Sequence, residues 1–293
     1  MKVLVLGSSG MLGHKVFELL SKNSKLTVIG TTRNKLEDKN TKTFIAGIDS
    51  VASLIEEIQP HYLINCVGII KPNISENNLN SKINAIQINS HFPLEIIKAI
   101  KDKAIRVIQI GTDCVYSGSK GDYSEIAQHD ALDVYGKTKS LGEAQDVKLM
   151  FIRCSIIGPE KTNKISLLEW FLNQPLNAKI QGYRNHIWNG ISTLHFARLC
   201  ETLITTSNFE SGIFHFLPRD KVSKDLLLTH FSRHFGRDDI QIDSRDAAQA
   251  IDRSLSTLKP EFNLKLWKLM GYVDIPKIED LVREMAVDYK LTH

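Results

Sequence analysis

Lys2-Val3-Leu4-Val5-Leu6-Gly7-Ser8-Ser9-Gly10-Met11-Leu12-Gly13 is the stretch on which the fold turns. Its first five residues are a short apolar run that suits a strand buried on both faces. The glycines come next, and beyond them Leu12, Val16, Leu19 and Leu20 fall on one face of a helix. Strand, glycine loop and helix are the order that a dinucleotide-binding fingerprint requires. Gly7 allows the tight turn, Gly10 lets the backbone approach a pyrophosphate, and Gly13 lets the helix pack close to the strand. Ser9, Met11 and Leu12 complete the loop as candidate cofactor contacts. The helix start then offers free N–H groups and a positive dipole end to phosphate.

Working outward, the second strand, Leu26 to Ile29, leads into Gly30-Thr31-Thr32-Arg33-Asn34-Lys35. An NAD site carries a ribose-binding carboxylate roughly 20 residues past the glycine loop, and none stands here. Arg33 and Lys35 are instead suited to a 2′-phosphate, with Arg33 as the main reader. This predicts NADP(H) as the preferred cofactor, with NAD(H) as the alternative.

Strand-like runs then alternate with helical patterns: Phe44–Ala46, a helix at Leu54–Ile58, Tyr62–Val67, a long helix across Ile83–Ile100, and Arg106–Ile110. The alternation predicts an α/β fold, a Rossmann-type doubly wound parallel sheet with helices on both faces. Ligands collect at the carboxyl ends of such strands, which singles out Asp49, Cys66-Val67-Gly68, Ile110 with Gly111-Thr112-Asp113, and Cys154-Ser155-Ile156. After about Gly158 the texture changes to longer segments with aromatics and cations, including Trp170, Tyr183, Arg184, His186 and Trp188. Residues 1–158 read as the dinucleotide-binding domain and 159–293 mainly as a smaller substrate-binding region. A helix near Thr193–Leu203 and a strand at Gly212–Phe216 return to the sheet within 191–217, so the two interleave. Further helical segments are read at Lys224–Phe235, Leu264–Met270 and Ile278–Tyr289.

Tyr135-Gly-Lys-Thr-Lys139 carries the chemistry. Residues four apart on a helix share a face, with Cβ atoms about 5–6 Å apart. A lysine there favours the ionised form of a phenol whose ordinary pKa is about 10, which turns Tyr135 into a usable general acid or base. The pattern points to redox chemistry on a carbonyl or alcohol.

Bulk properties exclude other classes. The chain has 293 residues and a net charge of +4, with no arginine-rich stripe interleaved with aromatics, so nucleic acid is not an expected partner. No long apolar span or signal segment is evident, which predicts a soluble, cytoplasmic protein without a membrane partner. The four cysteines, Cys66, Cys114, Cys154 and Cys200, form no pair motif, and the ten histidines lack metal-ligand spacing, so no metal is expected.

The glycine loop, the segment Gly111-Thr112-Asp113-Cys114-Val115-Tyr116-Ser117-Gly118 and Tyr135-x-x-x-Lys139, in this order, resemble an extended short-chain dehydrogenase/reductase. Within that group the chain most resembles the dTDP-4-dehydrorhamnose reductase family. Looser matches follow at Asn189-Gly190-Ile191-Ser192-Thr193 and Asp252-Arg253-Ser254-Leu255. The resemblance implies that Thr112 hydrogen-bonds the substrate oxygen, Tyr135 delivers its proton, and Lys139 polarises Tyr135 and holds the nicotinamide ribose. It further implies that Asn65, Cys66, Val67 and Gly68 line the cofactor ribose, that Asp49 sits near adenine and that Asn89 supports the site. Asp113, Cys114, Val115, His186, Trp188, Asn189 and Arg253 are the candidate substrate contacts. The implied activity is NADPH-dependent reduction of the 4-keto group of a nucleotide-activated deoxysugar, in carbohydrate biosynthesis, by a homodimer.

Two alternatives stay open. Cys114 stands where the GDP-fucose synthase family places a cysteine that, with a histidine, epimerises before reduction; it equally reads as a packed strand-end thiol. Chains of this fold also include regulatory subunits that bind NADP without turnover, such as the methionine adenosyltransferase β subunit.

Overall fold

The computed structural model describes residues 1–34, 38–161 and 164–292. The first half runs β1 (Lys2–Leu6), α1 (Met11–Ser21), β2 (Thr27–Thr32), β3 (Thr41–Thr43), α2 (Val51–Ile58) and β4 (Tyr62–Asn65). It continues through α3 (Leu79–Ala85), a π-helical turn at Ile86–His91, α4 (Phe92–Ile100), β5 (Arg106–Ile110), α5 (Val134–Leu141) and β6 (Leu149–Arg153). Every pair in the central sheet is parallel, and the spatial order is Gly212–His215, β6, β5, β4, β1, β2, β3. This is the Rossmann order, reversing direction beside β1.

Parallel strands covered on both faces must be apolar throughout, and β1 shows how the sequence meets that demand. Val3, Leu4, Val5 and Leu6 are all fully buried. Alternation along the strand sends Val3 and Val5 into one core cluster and Leu4 and Leu6 into another. The first cluster is covered by α1, the helix Thr193–Thr205 and Trp267; the second by α2 and α4. Each such side chain contributes about 1.5–3 kcal/mol.

Two strand expectations are corrected. Phe44–Ala46 is not a strand; the polar Thr41–Thr43 takes that edge, paired with Gly30–Thr32. An edge strand has no second partner to bury it, so no apolar run marks it. Phe44 follows directly, its N–H donating to the Thr32 carbonyl at 2.9 Å while its ring enters the core. The second strand runs on from the expected Leu26–Ile29 to Thr32, because Gly30 packs under Ser8, where a Cβ would lie 2.5 Å from the Ser8 Oγ.

Beyond β6 the chain builds small sheets beside the strand ends. Ile156–Ile157 pairs with Ile191–Ser192, His186–Trp188 lies between Val222–Ser223 and Ile251–Asp252, and Lys179–Tyr183 pairs with Gln241–Arg245. With helices Leu167–Leu172, Lys224–Phe235 and Ile278–Thr292 they enclose a further cluster around Trp188, Phe171 and Phe231. The register pairs Leu6 with Asn65 and Ile110 with Ile152. The loops that follow these strands therefore open on one edge.

Candidate active site

The glycine loop is built for a close approach. Gly7 sits at φ +76°, a left-handed conformation that costs other residues energy. A Cβ on Gly13 would lie 2.0 Å from the Gly7 carbonyl oxygen, so α1 can start this close to β1 only without a side chain. Gly10 differs: a Cβ there would meet nothing nearer than the same oxygen at 3.5 Å. The chain itself leaves that space open, and Gly10 caps α1 without any side-chain hydrogen bond to its first N–H groups. Facing the loop is a cleft of about 410 Å³ lined by Gly7, Ser9, Gly10, Arg33 and Cys66–Gly68 among others, and no described lining residue is acidic. A Gly-formed cradle, unspent helix N–H groups and a cation at the end of β2 fit a dinucleotide phosphate.

Several expected cofactor contacts stand elsewhere. The Leu12 side chain points into the core, as does Cys154, while Ile110 and Ile156 are partly buried and pack against the same cluster. Met11 opens α1 and is half-buried. The Asp49 carboxylate accepts from the Ile45 N–H at 2.6 Å and closes its own loop, so Ile48 lines the cleft in its place. Lys35 lies outside the described residues.

Thr112 follows β5 and caps a short 3₁₀ turn, Asp113–Val115, its Oγ1 accepting from the Cys114 N–H at 3.2 Å. Tyr135 lies in the first turn of α5, whose start Asp133 fixes by accepting from the Gly136 N–H at 2.9 Å. The Tyr135 phenol lies close enough to Thr112 for that hydroxyl to favour its ionised form. Lys139 is buried one turn further on, and its Nζ would lie 3.7 Å from a Cβ on Gly68, at the wall of the glycine-loop cleft. Burial pulls the Lys139 ammonium down to about 8, with Glu143 opposing.

The expected lowering of the Tyr135 phenol by Lys139 is not met. Burial raises the phenol well above its ordinary value, Cys114 and Asp113 push it further, and only the Thr112 hydroxyl opposes them. The ammonium lies against Gly68, and desolvation decides the phenol's state.

Asn89 holds the frame together from the π-helical turn. Its Oδ1 accepts from the Ile69 N–H at 2.9 Å, and its Nδ2 donates to the Ile69 carbonyl at 3.0 Å and to Thr138 Oγ1 at 3.3 Å. The loop after β4 and the helix bearing Tyr135 and Lys139 are thus tied through one buried amide. A second tie lies under the far end of α5, where Arg153, 1 % exposed, donates to both oxygens of Glu143 and to the Tyr116 hydroxyl. Nothing in the sequence flags Arg153, because its partners are distant along the chain.

Of the expected substrate contacts, Asp113, Cys114 and Arg253 come together beside Thr112. Burial pushes the Cys114 thiol up to about 12, and Asp113 adds to it. Trp188 stands at the end of β6, its indole N–H donating to Ser155 Oγ at 2.9 Å. Val115 is corrected: it is fully buried in a cluster with Tyr116, Tyr123 and Leu255, and serves packing. Asn189 is a strut, its amide exchanging hydrogen bonds with the Leu255 backbone at 2.7 and 2.9 Å. The His186 ring is 3.0 Å from the Gln249 carbonyl and packs on Tyr183; it makes no contact with Cys114.

A parallel sheet whose strand ends gather a glycine cradle and a Thr-Tyr-Lys set defines an extended short-chain dehydrogenase/reductase. The family model described as RmlD substrate binding domain matches residues 1–171, and the chain belongs to that family. Among solved structures, a dTDP-4-dehydrorhamnose reductase of Clostridium acetobutylicum superposes with a TM-score of 0.76 at 21% identity, covering 99% of this chain and 100% of that one. The Bacillus anthracis dTDP-4-dehydrorhamnose reductase in complex with NADP gives 0.74 at 17% identity, covering 98% and 99%. These show the shared fold. The curated dTDP-4-keto-6-deoxy-D-glucose reductase of Streptomyces niveus is 28% identical over 148 residues, which is 50% of this chain and 48% of that protein. Methionine adenosyltransferase 2 subunit beta of Danio rerio is 28% identical over 144 residues, 49% of this chain and 43% of that protein. The chain thus spans under half the length of these curated relatives.

Proposed function

We propose that the protein is an NADP(H)-dependent reductase of a 4-keto nucleotide-activated deoxysugar. One observation carries the reading: Lys139 reaches the wall of the glycine-loop cleft at Gly68 while Tyr135, one turn away on the same helix, lies near Thr112 at the end of β5. Cofactor and ketone are thereby assigned neighbouring places. The amides of the glycine loop hold the diphosphate, Arg33 meets the 2′-phosphate, and Lys139 holds the nicotinamide ribose. When bound, the reduced nicotinamide supplies a hydride to the carbonyl carbon. Thr112 donates a hydrogen bond to the carbonyl oxygen and Tyr135 protonates it. The high pKa of a buried phenol suits this direction, because the proton is present on Tyr135 at neutral pH.

Residues 1–158 supply the cofactor site in this reading and 159–293 mainly the substrate side. The Cys114 thiol, raised by burial and with no histidine acting on it among the described residues, disfavours epimerisation. Homodimerisation is supported by Leu79, Ile83 and Ile86 along the long helix and Leu141 on α5, large apolar side chains that are 71%, 54%, 48% and 66% exposed. Light scattering on the purified chain tests it, with a monomer at micromolar concentration counting against it.

The match to the methionine adenosyltransferase 2 β subunit favours a second reading, a regulatory subunit that binds NADP without turnover. NADPH oxidation followed with a panel of 4-keto-6-deoxy sugar nucleotides separates the two. Turnover of at least one supports the reductase; NADPH binding with no turnover across the panel supports the subunit.

A further inference from the structure

Helix Lys224–Phe235 begins beside the strand ends, and its first residue has no counterpart among the site residues above. The Lys224 Nζ lies 5.8 Å from the centroid of the Trp188 ring and within electrostatic reach of Asp113, Cys114 and Arg253. Among the described residues it has no hydrogen-bond or ion-pair partner. Arg253 donates from Nε to the Tyr116 carbonyl at 2.9 Å, which orients the guanidinium over the 112–118 segment and leaves both Nη groups without a protein acceptor among the described residues.

Lys224 is half-buried, and an ammonium partly withdrawn from water without an acceptor is costly; burial lowers its pKa accordingly. One facing carboxylate, Asp113, cannot balance two cations, and burial works against its ionisation. Trp188 closes one side and is itself pinned to Ser155. Unspent donors on two cations, with an aromatic wall, form a receptor for anionic oxygen.

We propose that Lys224, with the free edge of Arg253, clamps an anionic group of the substrate beside Thr112 and Tyr135, and that Lys224 sets substrate specificity. The shared chemistry is a pair of anionic oxygens, supplied either by the nucleotide diphosphate or by a carboxylate on the sugar. The proposal deepens the sugar-nucleotide reading, but its test needs no turnover.

Calorimetric titration of the full chain with uridine, thymidine and guanosine diphosphates and the matching monophosphates reads the first source; UDP-glucuronate against UDP-glucose reads the second. A charge-assisted hydrogen bond of about 1.5–3 kcal/mol predicts that Lys224→Met weakens the bound anion about 10- to 100-fold while Lys224→Arg keeps most of the affinity. NADPH affinity and melting temperature stay as in the parent. Loss confined to diphosphates assigns the diphosphate; loss confined to UDP-glucuronate assigns the sugar carboxylate. Anion affinities within twofold of the parent in Lys224→Met, or no anion binding by the parent, overturn the clamp. A chain that binds these anions through Lys224 but reduces no keto sugar keeps the clamp and loses the reductase.

Discussion

The Arg153 guanidinium grips the Glu143 carboxylate at two points, 3.0 Å from Nε and 2.6 Å from Nη2, with both side chains buried. The pair joins the end of β6 to the turn that ends the Tyr135 helix. Arg153→Met leaves a buried carboxylate unpaired and is expected to lower unfolding free energy by about 3–5 kcal/mol. Urea unfolding checks this, and the double variant with Glu143→Met should recover part of the loss. An Arg153→Met midpoint equal to the parent's would show the pair to be energetically idle.

Tyr135→Phe removes the proton donor and keeps the ring. Turnover should fall by about 10²- to 10⁴-fold while NADPH affinity, read by fluorescence, is unchanged. Near-parental turnover would remove Tyr135 from the mechanism.

Gly13→Ala places a methyl 2.0 Å from the Gly7 carbonyl oxygen, which forces α1 away from β1. Overpacking of this kind costs about 1–3 kcal/mol, and the cradle is distorted with it. NADPH affinity should fall together with the melting temperature; Gly10→Ala, which clashes with nothing in the chain, should lose affinity with little change in melting temperature.

Arg33→Ser should weaken NADPH about 10-fold or more and leave NADH nearly unchanged, since a charge-assisted phosphate contact contributes about 1.5–3 kcal/mol. Equal loss with both cofactors would assign Arg33 another role.

His215 predicts acid sensitivity. Its Nδ1 meets the Ser256 carbonyl at 2.6 Å and its Nε2 meets Arg153 Nη1 at 2.6 Å, so the ring is neutral, donating at one nitrogen and accepting at the other. Burial, then the Arg153 charge, pulls it from 6.5 to about 4. The unfolded chain therefore takes up this proton first as pH falls. Stability is retained above 6.5, declines between 6.5 and 4, and reaches its full loss of about 3 kcal/mol below 4. Urea midpoints across that range should flatten in His215→Asn; an equally steep decline in the variant would assign the acid sensitivity elsewhere.

The features legible in the sequence are those whose meaning is local. Gly7, Gly10 and Gly13 act through their own backbone, and Tyr135 and Lys139 share a helix turn, so spacing alone finds them. Asp113, at a strand end, and Val115, two residues on, both read as candidate substrate contacts, yet one faces the site and the other the core, because the 3₁₀ turn that holds them leaves no trace in hydrophobic period. Asn189 carried the right chemistry for a ligand and spends it on Leu255, a partner 66 residues away. Arg153 and His215, 62 residues apart, become visible only when the strand Gly212–His215 docks on β6.

That docking has a further consequence. Residues Gly212 to His215 pair with Met150 to Arg153 along the border of the sheet, and Phe214 is buried there. A truncation after residue 171 would keep the whole matched family segment but strip β6 of its neighbour, baring a row of amides and carbonyls that invites aggregation. Expression of such a fragment should yield insoluble material, and the intact chain should melt in a single cooperative step.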